Sequence, residues 1–278
     1  MKIAFYTTFA LVSFALNSIL CRMALGNGEA DASSFTTVRL ISGAIALAIL
    51  VSATNKQQNV VKAGNWASAF FLFAYAICFS FAYLGLTAAT GALILFGFVQ
   101  FTMIAVSIIS REHPGKLEWI GLIIAFSGLV YLVFPGLSSP PILSAGLMAA
   151  AGISWGFYTL RGKGSTDPLG DTAGNFFRSV PMAVIAAVPF ISSAHLSARG
   201  AVLAVLSGAI ASGIGYTVWY AALKHHTATR AAVLQLSVPM IAAVGGAMFI
   251  GEKMTMRLLI AAALILGGIA VVIAGRKR

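Results

Sequence analysis

The chain has 278 residues, of which 59% are hydrophobic, and its mean hydropathy is +0.94. Only 9% are Asp, Glu, Lys or Arg, against about 25% in an ordinary soluble domain, and this excludes a soluble globular fold. The net charge of +11 is spread as single basic residues between apolar runs, so a nucleic-acid-binding surface is excluded as well.

Ten apolar runs follow one another along the chain, and each is close to the ~20 residues that a helix needs to cross a bilayer. They lie near 3–25, 33–52, 64–84, 88–110, 117–134, 143–161, 173–191, 200–222, 229–250 and 256–274. The first run is too long for the apolar region of a signal peptide and lacks a convincing cleavage site. We therefore predict an all-α integral membrane protein with ten transmembrane helices, located in the cell (inner) membrane.

The basic residues between these spans predict how the protein is oriented. If the N-terminus is cytoplasmic, the outside holds only Arg22, Arg199, Lys253 and Arg257. The inside then holds twelve basic residues: Lys2, Lys56, Lys62, Arg111, Lys116, Arg161, Lys163, Lys224, Arg230, Arg276, Lys277 and Arg278. By the positive-inside rule, both termini are expected in the cytoplasm.

The two halves of the chain are similar to each other. Glu112 aligns with Glu252 and Gly128 with Gly268, both at an offset of 140 residues. Each half has five spans, and a duplicated unit with an odd number of spans must insert its second copy upside down. We predict two inverted five-helix repeats, 1–136 and 137–278, arranged around a central cavity, which is a pattern typical of secondary transporters.

Several motifs resemble those of the drug/metabolite transporter superfamily, in its ten-helix EamA-domain branch. They are "SWGFYT" in span 6, "SVPMIAAVGGAMFIGE" and "FIGEKMT" in and after span 9, and "LILGGIAVV" in span 10. The first half departs from the pattern, because span 4 has no counterpart of Pro239 and the acid there lies in "SREHP". Within the superfamily, "TGALILFGFVQFTMI" in span 4 is similar to bacterial aromatic amino acid exporters.

The resemblance implies export of small amphipathic metabolites by alternating access. Aromatic or other apolar amino acids are the expected cargo, and drugs or other metabolites are the alternative. The expected partners are a small-molecule substrate and membrane lipid, with no nucleic acid. The oligomeric state stays open, with a monomer as the working expectation.

Polar and aromatic side chains near the middle of several spans predict a shared substrate cavity, since ligand pockets are mostly apolar with a few orienting polar groups. The candidate substrate-binding residues are Asn17, Phe79, Tyr83, Gln100, Trp155, Tyr158, Tyr216, Trp219 and Gln235. For each amide the alternative is a hydrogen bond between helices, and for Trp219 it is an anchor at the membrane interface. Candidate hinge residues are Gly208, Gly213, Gly215 and Pro239.

Charged residues inside the spans are few. Arg39 and Arg178, each about six residues into its span, are expected to snorkel to the interface or to tie helices together. The alternative is that they bind a substrate carboxylate at the rim of the cavity. Glu112 and Glu252 are expected to cap or tie helix ends. No carboxylate lies in the middle of a span, so we expect no proton relay through the protein.

An integral membrane enzyme is the second class of function that the sequence allows, and a channel is the third. All four histidines lie between spans, and the chain has neither an HExxH motif nor a Walker A motif. We therefore expect no catalytic residue, no metal and no cofactor. The flexible glycine- and proline-containing spans favour alternating access over a fixed pore.

Overall fold

The computed structural model describes residues 2–54, 62–109, 115–134, 139–226, 234–235 and 237–275. Over these ranges the chain folds into helices α1 Lys2–Gly26, α2 Ala32–Ala53, α3 Trp66–Ala82, α4 Ala88–Ile109, α5 Lys116–Val133, α6 Ile142–Gly162, α7 Pro168–Ala187, α8 Ala198–Leu223, α9 Ser237–Ile250 and α10 Met256–Gly275. Eight of them are long and apolar enough to cross a membrane, while α3 and α9 are shorter apolar helices. The all-α membrane fold predicted from the sequence is confirmed, and most helix ends lie within two residues of the predicted ones.

Helix α7 begins five residues earlier than predicted. Pro168 occupies the start of the helix, where its missing N–H is not needed, and the negative charge of Asp171 in the first turn suits the positive end of the helix dipole. As a result Arg178 is the eleventh residue of α7, and the expectation that it lies about six residues into its span is wrong.

The packing of the helices shows a relation between the two halves. Helix α1 packs against α8 and α9, and its counterpart α6 packs against α3 and α4. In the same way, α2 contacts α8 and its counterpart α7 contacts α3. The pairs α2–α7, α4–α9 and α5–α10 each join a helix to its own counterpart. Each of these contacts has a counterpart when five is added to or subtracted from the helix numbers, and the division into two inverted repeats stays a prediction. The predicted boundary between 136 and 137 lies outside the described residues.

Helices α5 and α10 pack tightly against each other through glycines. A Cβ added to Gly268 would lie 2.5 Å from the backbone nitrogen of Ala125 and 2.6 Å from the carbonyl oxygen of Gly121. Small residues at such a crossing let two membrane helices come into van der Waals contact along their backbones. The pair forms the scaffold at one side of the bundle, as the apolar sequences of the two spans indicate.

The outer surface of the bundle is apolar and the interior holds the polar groups, as expected for a protein in lipid. Trp66, the first residue of α3, and Trp119, in the first turn of α5, are exposed, which fits the role of interfacial anchors. Trp155 and Trp219 are instead fully buried, so Trp219 is not an anchor. These two tryptophans lie in the middle of the bundle, where the candidate site is found.

Candidate functional site

Eight ring-bearing side chains from four helices, joined by centroid distances of 5.7 Å or less, form one connected group in the middle of the bundle, which we call the aromatic cluster. Trp155 of α6 is at its centre, with ring centroids 4.5 Å from Tyr216, 5.0 Å from Tyr75 and 5.7 Å from Phe14. All eight side chains are buried. The members are Phe14 of α1, Tyr75, Phe79 and Tyr83 of α3, Trp155 and Tyr158 of α6, and Tyr216 and Trp219 of α8.

Six of the predicted site residues belong to this cluster, and two of its members were missed from the sequence. Tyr75 precedes Phe79 by four residues and Tyr83 follows by four, so the three share one face of α3. Extending the Phe79–Tyr83 pair by one turn could have found Tyr75. Phe14 gives no comparable signal, because it lies among many apolar residues in α1.

Asn17 links the aromatic cluster to a buried group of hydroxyls. Its amide nitrogen donates to Ser212 Oγ at 3.0 Å and to the Tyr216 hydroxyl at 3.1 Å. Its amide oxygen accepts a hydrogen bond from Ser207 Oγ at 2.6 Å. The amide thus joins α1 to α8 at the centre of the bundle, beside the rings of the cluster.

Arg39 is turned into the bundle, so of its two expected roles snorkelling is wrong and tying helices together is confirmed. Its side chain is only 1% exposed, with Nε donating to Ser212 Oγ at 3.1 Å and Nη2 donating to the hydroxyls of Tyr75 at 3.1 Å and Tyr216 at 2.9 Å. The guanidinium also lies 4.9 Å from the Phe79 ring centroid. These hydroxyls and rings solvate the cation inside the bundle, so that it ties α2 to α3 and α8 without reaching the interface.

Arg178 behaves differently from Arg39, although it lies on the corresponding helix of the second half. It is half-buried, and its Nη1 donates to the carbonyl oxygens of Ala63 and Gly174. The guanidinium also lies 5.8 Å from the ring centroid of Trp66. Arg178 therefore ties α7 to the segment that precedes α3, outside the aromatic cluster.

On Arg39 and in the aromatic cluster, four donors lack a partner among the described residues. They are Nη1 of Arg39, the hydroxyl of Tyr158 and the indole Nε1 atoms of Trp155 and Trp219. Buried polar groups are nearly always hydrogen-bonded, because leaving such a group without a hydrogen bond costs about 1–3 kcal/mol. Unmade donors beside apolar rings are the arrangement by which a site orients an amphipathic ligand.

The two predicted glutamines are both buried. Gln100 is 1% exposed, and on α4 it comes one turn after Phe96, whose ring stacks on Phe14 at 6.3 Å. Gln235, just before α9, is fully buried. A role of either amide in binding substrate stays a prediction.

Part of α8 is not an α-helix. Residues Leu206–Ile214 form a π-helix, which includes Gly208 and Gly213 and is followed directly by Gly215. Ser207 and Ser212, the partners of Asn17 and Arg39, lie in this segment. Such π segments are rare and often lie at functional sites. The hinge role of these glycines, and of Pro239 in the first turn of α9, stays a prediction.

The end of the bundle opposite the termini is held together by Glu252. Its carboxylate accepts a hydrogen bond from the Ala88 backbone nitrogen at 2.8 Å and lies 3.2 Å from Nε of Arg22. Arg22 also donates to the Tyr83 carbonyl oxygen at 3.1 Å. Burial raises the pKa of Glu252, while the Ala88 N–H and the Arg22 charge act in the opposite direction. The expected role of Glu252 as a tie at helix ends is confirmed, and Glu112 lies outside the described residues.

The end that carries both termini contains a narrow polar cleft of about 30 Å³. Its lining includes the polar residues Asn65, Ser68, Arg161, Asp171 and Asn175, together with Tyr158 and Tyr220. Tyr158 is also a member of the aromatic cluster, with its ring 5.5 Å from Trp155. The cleft therefore approaches the cluster from the termini end, whereas Arg22 and Glu252 join helix ends at the opposite end.

Comparison with known proteins assigns the family. Residues 142–274 match the EamA-like transporter family. An uncharacterized protein of Pseudomonas aeruginosa is 45% identical over 270 residues, covering 97% of this chain and 94% of that protein. The chain belongs to the EamA-like transporter family, within the drug/metabolite transporter superfamily.

Two further similarities support this assignment. An uncharacterized transporter of Archaeoglobus fulgidus is 28% identical over 185 residues, or 64% of each chain. A crystal structure shares the fold with a TM-score of 0.70 at 16% identity, covering 96% of this chain and 94% of the other. The protein is thus a multi-pass membrane transporter, and the predicted superfamily is confirmed.

Proposed function

We propose that this transporter exports small amphipathic metabolites, with aromatic or other apolar amino acids as its cargo, by alternating access. The observation that carries the proposal is the aromatic cluster with its unpartnered indole N–H groups of Trp155 and Trp219. Rings can surround an apolar side chain, while the free donors and the Arg39–Asn17 hydroxyl network can bind polar groups.

The contrast between the two ends of the bundle supports transport by alternating access. The cleft at the termini end reaches Tyr158, and the Arg22–Glu252 contact closes the opposite end. Because the basic residues concentrate at the termini end, we assign that end to the cytoplasmic side of the inner membrane. A substrate would then enter from the cytoplasm, reach the cluster, and leave once the Arg22–Glu252 contact opens.

Counterflow in proteoliposomes tests the proposal. Vesicles loaded with unlabelled Phe, Tyr, Trp or Leu should accumulate the same labelled amino acid transiently, and the uptake should saturate. Uptake that does not saturate would indicate a channel, and absence of counterflow with all four would refute these amino acids as cargo.

Two tryptophan variants provide a matched comparison in the same assay. Trp155→Phe removes an unpartnered N–H in the cluster and is expected to lower the apparent affinity several-fold. Trp119→Phe makes the same chemical change at an exposed position and should leave transport unaltered. Equal effects of the two changes would contradict a substrate contact at Trp155.

A further inference from the structure

Arg39 carries a permanent positive charge, and no acidic side chain among the described residues pairs with it. Arginine stays protonated in proteins, and the side chain here is almost completely buried. In the part of the chain that the structure describes, its hydrogen-bond partners are the neutral hydroxyls of Tyr75, Ser212 and Tyr216. The two ion pairs found among the described residues, Arg22–Glu252 and Arg199–Glu29, do not involve Arg39.

A buried charge without a counter-charge destabilises a protein strongly, so it persists only where other interactions hold it in place. Here the restraints are specific: Nε and Nη2 are fixed by hydroxyls, and the guanidinium lies beside the rings of Tyr75 and Phe79. Nη1 has no partner among the described residues. The fork is therefore held in one orientation with a donor unused.

The surroundings of Arg39 fit an anion that carries an apolar body. Tyr75 and Tyr216, which hold the guanidinium, both have their rings within 5.0 Å of the Trp155 ring. A carboxylate is the acceptor that best matches an arginine fork, and the aromatic rings next to it can pack against an apolar group. The same arrangement repels a ligand whose only charge is positive.

We propose that Arg39 binds the carboxylate of the substrate, so that the cargo is an apolar or aromatic carboxylic acid such as an amino acid and not a cationic drug. This inference rests on the proposed function and narrows its substrate class. Ser212 lies on the π segment, so a movement of that segment would release part of the Arg39 network when the anion enters. Arg178, which is bonded to backbone carbonyls instead, takes no part in substrate binding.

Ligand-induced thermal stabilisation of the purified protein tests this assignment. The ligands are L-phenylalanine, 3-phenylpropionate, L-phenylalaninamide and 2-phenylethylamine, titrated at constant ionic strength. We expect the two carboxylates to reach half-saturation at concentrations about tenfold or more below those of the amide and the amine, since bonds to charged groups are the stronger ones. A tenfold ratio corresponds to about 1.4 kcal/mol.

Variants then assign the preference to one residue. Arg39→Gln should bring the ratio of the half-saturation concentrations of amide and carboxylate close to one. Arg39→Lys should retain part of the preference for the carboxylate, and Arg178→Gln should leave the ratio unchanged. If Arg39→Gln does not fold, the amide-to-carboxylate ratios of the wild type and of Arg39→Lys still show whether Arg39 sets the preference. Equal binding of acid and amide by the wild type, or a ratio that survives Arg39→Gln, overturns the assignment.

The outcome also separates this inference from the proposed function. Counterflow of amino acids without any carboxylate preference would refute the role of Arg39 and leave the amino acid exporter standing. An Arg39-dependent response to 3-phenylpropionate without amino acid counterflow would support the role of Arg39 and refute amino acids as cargo. Stabilisation by chloride alone, or by no ligand in the series, overturns the assignment of Arg39 to substrate.

Discussion

Single residues at the centre of the bundle set the kind of ligand that it can accept. Asn17 has its amide satisfied by α8 and binds helices together in this state, which is the structural alternative considered for the amides. Trp155 and Trp219 are buried with their donors unused. The hydrogen-bonded amide of Asn17 thus stabilises the fold, whereas the unpartnered indole N–H groups are available to bind a ligand.

Gln100 was singled out from the sequence as a substrate contact, and its burial next to the Phe96 turn makes a direct test possible. We predict that Gln100→Leu lowers transport or affinity several-fold, as expected for about 1 kcal/mol of lost hydrogen bonding, and by more than any change in melting temperature explains. Counterflow and thermal unfolding of the purified variant measure both quantities.

Asn175→Leu supplies the reference for an amide with a defined hydrogen bond to the backbone. Asn175 Oδ1 accepts a hydrogen bond from the Asn65 backbone nitrogen at 2.9 Å, at the start of α3, and its loss should lower the melting temperature. If Gln100→Leu shows this same loss of stability with unchanged transport per folded molecule, Gln100 is a packing residue.

Among the elements, α5 and α10 depend most visibly on the absence of side chains at their crossing. Gly268→Leu would push the two backbones apart, and we predict a loss of about 1–3 kcal/mol in stability, the usual cost of overpacking. The neighbouring Gly267 has no atom near an added Cβ, so Gly267→Leu should leave the melting temperature unchanged. Equal stability of the two variants would contradict the close crossing.

The loop between α9 and α10 carries the titratable group that closes the end opposite the termini. Because burial raises the pKa of Glu252, the folded protein binds its proton more tightly than the unfolded chain does. This contribution to stability is therefore lost as the pH rises through the raised pKa. We predict that, when the pH is lowered from 7 to 5, the melting temperature of the wild type rises relative to that of Glu252→Gln.

Asp31, the other acidic residue with a shifted pKa among the described residues, should not contribute to the change in melting temperature between pH 7 and pH 5. Although burial acts to raise its pKa, hydrogen bonds from Ser34, His195 and Ser33 lower the pKa overall. Its contribution to stability is thus lost only as the pH falls below the usual range of aspartate, outside the window used for Glu252. A pH dependence that is the same in wild type and Glu252→Gln would contradict the assignment to Glu252.

At the scale of the whole molecule, the sequence was sufficient for the membrane fold and most helix ends, because apolar runs and the polar segments between them are set by the bilayer itself. The position of Arg39 was not predictable in the same way. Depth in a span does not tell whether a long side chain turns to the interface or inward, and hydroxyls on α3 and α8 decided this. The π segment of α8 was equally hidden, since its glycines indicate only a soft point.

The central claim is that the bundle opens alternately at its two ends, and a cross-link at the closed end tests it most directly. In a background with Cys21 and Cys78 replaced by Ala, cysteines at Arg22 and Glu252 can be joined by a bifunctional thiol reagent of about 10 Å, because these side chains meet across that end. Cysteines at Leu117 and Gly275, in the α5–α10 scaffold, form the control pair.

The account predicts that joining positions 22 and 252 abolishes counterflow of labelled phenylalanine and that cleaving a reducible linker restores it. Joining positions 117 and 275 should leave counterflow intact, because α5 and α10 stay together during the cycle. Undiminished counterflow with the 22–252 linker in place would contradict the account, because substrate would then be crossing without the opening of this end.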